Sequence, residues 1–276
     1  MPATTVFQSQ SSGSIHAQSW YRPIVSPQHG VYVMLGVSFL TGAAAGHHWT
    51  LSTTLALICA FAGFQAEHPL VLQIKQRHSW KPRFLLWGGI YAGLALGIAI
   101  YLYSQTPLLW AVYLGAIAAF MIDAVSVYVR QQKSIANELL TFGAVCLAAP
   151  LAYIATVGTG SVPVVGLWLL NSLFFSSAIF TVKLRKPKTT SLVPGLVYHA
   201  IASLLVFGLW YMNWLAPITA IAFVVALLKF SLILLQLDWY KSSPIRHVAL
   251  LETLSSICFF VIVAVSVLPP HLVELG

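Results

Sequence analysis

Charge is what this chain has least of. Aspartate and glutamate together number 6 and lysine and arginine 14 in 276 residues, so 7% of the chain is charged and 59% is hydrophobic. Soluble domains carry about 25% charge. No soluble fold of this length hides so much apolar surface, so the solvent for most of the chain is a bilayer. Cysteine is also scarce. Its three residues, Cys59, Cys146 and Cys258, each lie inside an apolar run, without the CxxC spacing of a zinc site or a disulfide framework. P-loop, GxSxG, HExxH and DxxxD patterns are all missing, which leaves nucleophilic and metal-dependent hydrolysis without support. The net charge of +8 suggests nucleic acid, but no folded soluble domain is present to host it, so no nucleic-acid partner is expected. Nor does the chain open with a basic stretch followed by an apolar run, as a secretory signal would.

What is there is a series of apolar runs. Residues 1–18, rich in Ser, Gln and Thr without periodicity, read as a flexible polar tail, and 19–276 as one transmembrane domain. Nine apolar segments follow, at 31–46, 49–66, 84–103, 107–128, 139–157, 162–184, 194–212, 217–237 and 248–268. Each is near the roughly 20 residues that span a bilayer core. The first two are short, which leaves eight spans as an alternative count. The fold class expected is an all-α polytopic membrane protein. All the lysines and arginines except Lys229 fall before segment one or in the connections 2–3, 4–5, 6–7 and 8–9, counting Lys183 at the end of segment six with the 6–7 connection. That one-sided pattern places the N-terminus in the cytosol and the C-terminus outside. The same basic loops suit contact with anionic phospholipids. The 2–3 connection from Glu67 to His78 mixes apolar and basic residues and reads as a short interfacial helix.

Polar residues inside apolar segments are costly, about 2.5–3.5 kcal/mol for a lysine at a helix centre, and so mark candidate sites. Lys229 is the deepest, eight residues above Leu237, or about 12 Å. It aligns with Ala222, Ala226 and Gln236, a small and polar stripe that should face the bundle. Asp123, Ser126 and Arg130 share one helical face, as do Glu252, Ser255 and Ser256. Glu67, Asp123, Glu138 and Glu252 are the candidate counter-ions of Lys229, and Asn171 and His199 are candidate interhelical hydrogen-bonding residues. Together these suggest a polar cavity open to the cytosol beneath an apolar outer half. Lys229 is equally readable as a structural ion pair or as a ligand or proton site. The adjacent His47 and His48 point to different sides of a helix and make a poor metal site.

The run Ser26-Pro27-Gln28-His29-Gly30-Val31-Tyr32-Val33-Met34-Leu35 resembles the Pro-x-x-His-Gly-x-aromatic-x-Met-Leu start of the YwiC-like membrane proteins, which adds His29 to the candidates. That family usually carries a charged residue before the histidine, where this chain has Gln28. The resemblance implies a bacterial-type, multi-pass inner-membrane protein. More distantly, the layout is similar to the UbiA prenyltransferase fold, whose members hold Mg²⁺ and a prenyl diphosphate on two Asp-rich motifs. The corresponding stretches here, Phe64-Gln65-Ala66-Glu67-His68 and Asn171-Ser172-Leu173-Phe174-Phe175, contain only one acid, Glu67. Magnesium requires hard oxygen ligands, generally one or two carboxylates plus phosphates, so a Mg²⁺ cofactor has little to hold it.

Three functions are open at this point. One is an enzyme or binding protein for an amphipathic lipid or isoprenoid, its headgroup among Lys229, Arg130 and the acids. The second is a small-solute or proton-coupled transporter working through Lys229. The third is a scaffold for a membrane complex, in which buried polar residues only specify packing.

Overall fold

Every expected apolar run becomes a helix, or a pair of helices broken in mid-span. The computed structural model describes residues 22–76, 79–185 and 191–268. The 1–18 tail, Arg77, Lys186 and Lys188 lie outside them. In chain order the helices are α1 (His29–Ala45), α2 (Leu51–Lys75), α3 (Pro82–Gln105), α4 (Trp110–Tyr128), α5 (Ile135–Cys146), α6 (Ala148–Val157), α7 (Val162–Lys183), α8 (Val193–Tyr211), α9 (Pro217–Ile221), α10 (Val224–Leu235), α11 (Leu237–Ser242) and α12 (Ile245–Val267). A single 3₁₀ turn, Pro107–Leu109, leads into α4. There is no strand among the described residues. Eight spans are long and apolar enough to cross a membrane, with α5–α6 and α9–α10 each counting as one, and α1 is a shorter apolar helix of 17 residues. The protein is an all-α polytopic membrane protein.

Local chemistry sets the ends. Proline occupies the first turn of α3, α7, α8 and α9, where its missing N–H costs nothing. At α2, Thr50 and Thr53 cap each other reciprocally, backbone N–H to side-chain oxygen at 3.1 Å in both directions. Thr53 also bonds Thr156 of α6 at 2.7 Å. Between α9 and α10, Ala222, Phe223, Val225 and Ala226 bond three residues back, a 3₁₀-like tightening that divides the expected single helix.

Two expectations fail here. The 67–78 connection is not a separate interfacial helix: α2 runs unbroken to Lys75 with Pro69 inside it. Gly88 of α3 packs against Leu70 and Pro69, and this packing holds the last turns of α2 on the bundle. Arg130 does not continue the Asp123–Ser126 face. α4 ends at Tyr128, and Arg130 turns into the left-handed region at φ 62°.

α7 is the most deeply buried span and α3 the least. In a bilayer, apolar burial does not drive helices together, so close contact between small residues matters more. A Cβ on Gly42 of α1 would sit 2.0 Å from the Ala149 carbonyl oxygen of α6, and one on Gly166 of α7 would sit 2.5 Å from that of Trp214. Gly93 of α3 has nothing within 4 Å of its Cβ position. Alanine in a helix gains about 1 kcal/mol over glycine, and overpacking costs about 1–3. Gly42→Ala is therefore expected to lower the thermal unfolding midpoint in detergent and Gly93→Ala to leave it unchanged or raise it. Equal midpoints for the two variants would contradict the close α1–α6 approach.

Candidate functional site

The candidate residues do not converge on one cavity. They fall into three groups, two of them on opposite faces of α7.

The first group surrounds Lys229, which is 4% exposed. Its Nζ meets Glu252 Oε2 of α12 at 2.8 Å and lies 5.5 Å above the Phe174 ring of α7. Thr181 donates to Glu252 Oε1 at 3.3 Å. Glu252 is thus the counter-ion, and Glu67, Asp123 and Glu138 are not. Ala222 and Ala226 are fully buried beside Lys229, whereas Gln236 is exposed because α10 ends at Leu235. Ser255 and Ser256 do not extend the site, since both hydroxyls return to the Glu252 carbonyl, at 2.9 and 2.7 Å. His199 stacks on Phe230 at 3.9 Å, its Nδ1 2.7 Å from the Gly195 carbonyl. Toward the basic ends of the helices, Arg185 donates to the Ser243 carbonyl at 2.5 Å and lies over the Tyr240 ring. Burial, reinforced by Glu252, pushes the Tyr240 hydroxyl up to about 12. Away from that end, Phe174 and Phe259 stack at 4.0 Å. The pair is a tie between α10, α12 and α7, dry on one side.

The second group lies between α2, α4 and α5. Asn137 donates to Asp123 at 2.6 Å, and both are buried. Glu67 lies within electrostatic range of Asp123. Beside them, Gln65 of α2 accepts from the Ser26 backbone at 3.0 Å and donates to the Tyr32 hydroxyl, which in turn donates to the Ser26 carbonyl. The segment around Pro27 is thereby fastened to α2, with His29 exposed at the start of α1. Arg130 is exposed and takes no part. Asn171 sits apart in the interior, donating to Thr41 of α1 at 3.0 Å and to the Leu167 carbonyl at 2.8 Å.

The third group joins one sequence candidate, Glu138, to a residue that was not one, Lys183. Glu138, in the first turn of α5, pairs with Lys183, in the last turn of α7, at 2.5 Å. Each charge opposes the partial charge of its own helix end. Leu139, the residue after Glu138, lines a groove of about 380 Å³ together with Ser172, Leu173 and Ser176 of α7 and residues of α8 from Tyr198 to Leu205. Ile201 and Leu205 are exposed along its opening. Trp168 donates to the Gly143 carbonyl at 2.9 Å and Tyr198 to that of Leu173 at 2.7 Å, which fixes α5 and α8 against α7. Ser172, Ser176 and Lys183 are spaced i, i+4, i+11 and so share one face of α7. That spacing was the available signal, but Lys183 read as part of a basic loop. Thr181 and Arg185 point the other way.

Among the described residues no group of three or more His, Cys, Asp or Glu stands together to hold a metal.

A bundle of long apolar helices with polar ties inside it defines a multi-pass integral membrane protein. A family model described as YwiC-like protein matches residues 25–153, and over that part the chain is similar to that family. Neither a curated protein nor a solved structure matches it. The matched part holds Glu67, Asp123, Asn137 and Glu138 but not Lys229.

Removing one partner of a buried pair costs about 3–5 kcal/mol, whereas replacing both with neutral groups is often tolerated. Lys229→Met is expected to destabilise the protein in a detergent melt, and Lys229→Met with Glu252→Gln to recover most of the loss. Additive losses in the double variant would show that the two charges are not coupled.

Proposed function

We propose that the protein binds an amphipathic lipid or isoprenoid-like molecule in the groove between α5, α7 and α8. The basic side faces the cytosol, as the placement of lysine and arginine implies. The observation that carries this reading is a groove with a mainly apolar lining between α5, α7 and α8, with Ile201 and Leu205 exposed along it. Along α8 the groove is lined from Tyr198 to Leu205, seven residues or about 10 Å, room for part of a hydrocarbon tail. Its volume of about 380 Å³ falls within the range of ligand sites, roughly 300–1,000 Å³. The hydroxyls of Ser172 and Tyr198 are satisfied by backbone carbonyls, so the wall met by the tail is effectively apolar.

Transport finds less support. The polar chain that rises from Arg185 past Tyr240 and Thr181 to Lys229 meets the stacked Phe174 and Phe259 beyond it, and a substrate path would have to cross them. Anionic phospholipids remain suited to the basic loops, where Lys81, Lys133, Lys241 and Arg246 are exposed.

The test is lipid retention. Purified protein is expected to carry tightly held lipid or isoprenoid that organic extraction and mass spectrometry identify. Ile201→Trp, which fills the groove from its exposed wall, is expected to cut that amount severalfold without changing the unfolding midpoint. Unchanged retention in Ile201→Trp would refute the groove. For orientation, an N-terminal tag is expected to resist protease added outside intact cells and to be cut once the membrane is opened.

A further inference from the structure

The surroundings of Lys229 hold more hydrogen-bonding capacity than the side chains there use on one another. Phe174, Ser177 and Thr181 are spaced i, i+3, i+7 and share one face of α7. Ser177 therefore sits between the ring under Lys229 Nζ and the hydroxyl that bonds Glu252. Its own hydroxyl is fully buried and meets no partner among the described residues. On the α8 side, the Gly195 carbonyl can only accept, so His199 Nδ1 carries the hydrogen and the neutral ring offers Nε2 as an acceptor. That ring lies flat on Phe230, the chain neighbour of Lys229, and within electrostatic range of Lys229 itself. His199 is 4% exposed, and its Nε2 also has no partner among the described residues. On the third side, Tyr240 of α11 is fully buried within reach of Glu252. Its hydroxyl comes near Thr181 but finds no hydrogen-bond partner among the described residues. Lys229, for its part, spends one of its three N–H groups on Glu252.

Buried polar atoms without partners are costly, and several around one ion pair call for a ligand. We infer that the bundle binds internal water here, in a site bounded by His199, Ser177, Tyr240 and the Lys229–Glu252 pair. This is independent of the groove on the other face of α7. The unmet groups are mixed in kind: Nε2 accepts, the ammonium only donates, and the two hydroxyls do both. Water matches all of them, making about three hydrogen bonds when buried. An anion would leave Nε2 stranded and bring a charge that the neutral Lys229–Glu252 pair does not offset. A cation would meet the ammonium and repel it, and an apolar group would satisfy none of the four. Water adds hydrogen bonds and no charge, so Glu252 remains the counter-ion. The stacked rings of Phe174 and Phe259 close the site on one side. The polar chain from Arg185 past Tyr240 is the way in from the basic side.

The test is radiolytic hydroxyl-radical labelling of the full-length protein in detergent, read residue by residue by mass spectrometry and normalised to the unfolded chain. Radicals formed from a bound water attack the side chains beside it even where bulk solvent does not reach. Tyr240 and His199 are expected to label severalfold faster than Phe39, which is just as buried but lies in an apolar cluster of α1, α2 and α6. His199→Phe, which keeps a ring against Phe230 and removes the acceptor, is expected to lower labelling of Tyr240 severalfold. Labelling of Tyr240 and His199 no faster than that of Phe39 overturns the inference. Rapid labelling of all three also overturns it, since that reports opening of the whole bundle. Unchanged labelling of Tyr240 in a folded His199→Phe would show that the two side chains share no water, and the site as drawn falls. Should that variant fail to fold, the comparison with Phe39 in the unaltered protein decides alone.

Discussion

A charge that cannot reach water must find its opposite inside the bundle. Lys229 and Glu252, 2.8 Å apart, are where this requirement bears hardest on the structure. The lysine fixes the rotation of α10, because any other facing would present the ammonium to lipid at a cost of a few kcal/mol. The glutamate fixes the rotation and height of α12 in turn. Thr181 draws α7 into the same contact, so three helices share one register. The stacked rings of Phe174 and Phe259, and the His199–Phe230 stack beside them, pack around a position the charges have already chosen.

α7 serves two purposes at once. One of its faces carries Phe174 and Thr181 against Lys229 and Glu252. The other carries Ser172 and Ser176 along the groove and, further down, Lys183 against Glu138. A helix held so firmly behind is a rigid floor in front, and a site built on a fixed element keeps its geometry better than one built on loops. Trp168 and Tyr198 extend this rigidity to the groove walls by bonding across to α5 and from α8.

Much of the architecture was legible in the sequence because hydropathy and basic-residue placement act residue by residue. The nine runs follow from them, with boundaries shifted by a few residues. What escaped was decided by contacts. The interfacial helix expected at 67–78 is a continuation of α2 because α3 packs over Pro69 through Gly88, which composition cannot reveal. The Asp123–Arg130 face failed because α4 stops two residues short of Arg130, and a left-handed turn can follow any helix end. Lys229 read correctly as facing inward, but four acids were equally eligible as partners. Choosing Glu252 required knowing that α10 and α12 lie side by side. Glu138 was singled out for its charge, yet its partner Lys183 was hidden among loop residues whose charges report orientation.

The Lys229–Glu252 pair also bears on how the protein enters its membrane. The two partners are 23 residues apart, on spans separated by α11. A chain delivered segment by segment would present α10 to the bilayer before its counter-charge had been made. Lys229 would then carry its insertion penalty alone. The last two spans are therefore coupled in energy: the penalty on Lys229 is lifted only once α12 brings Glu252 beside α10.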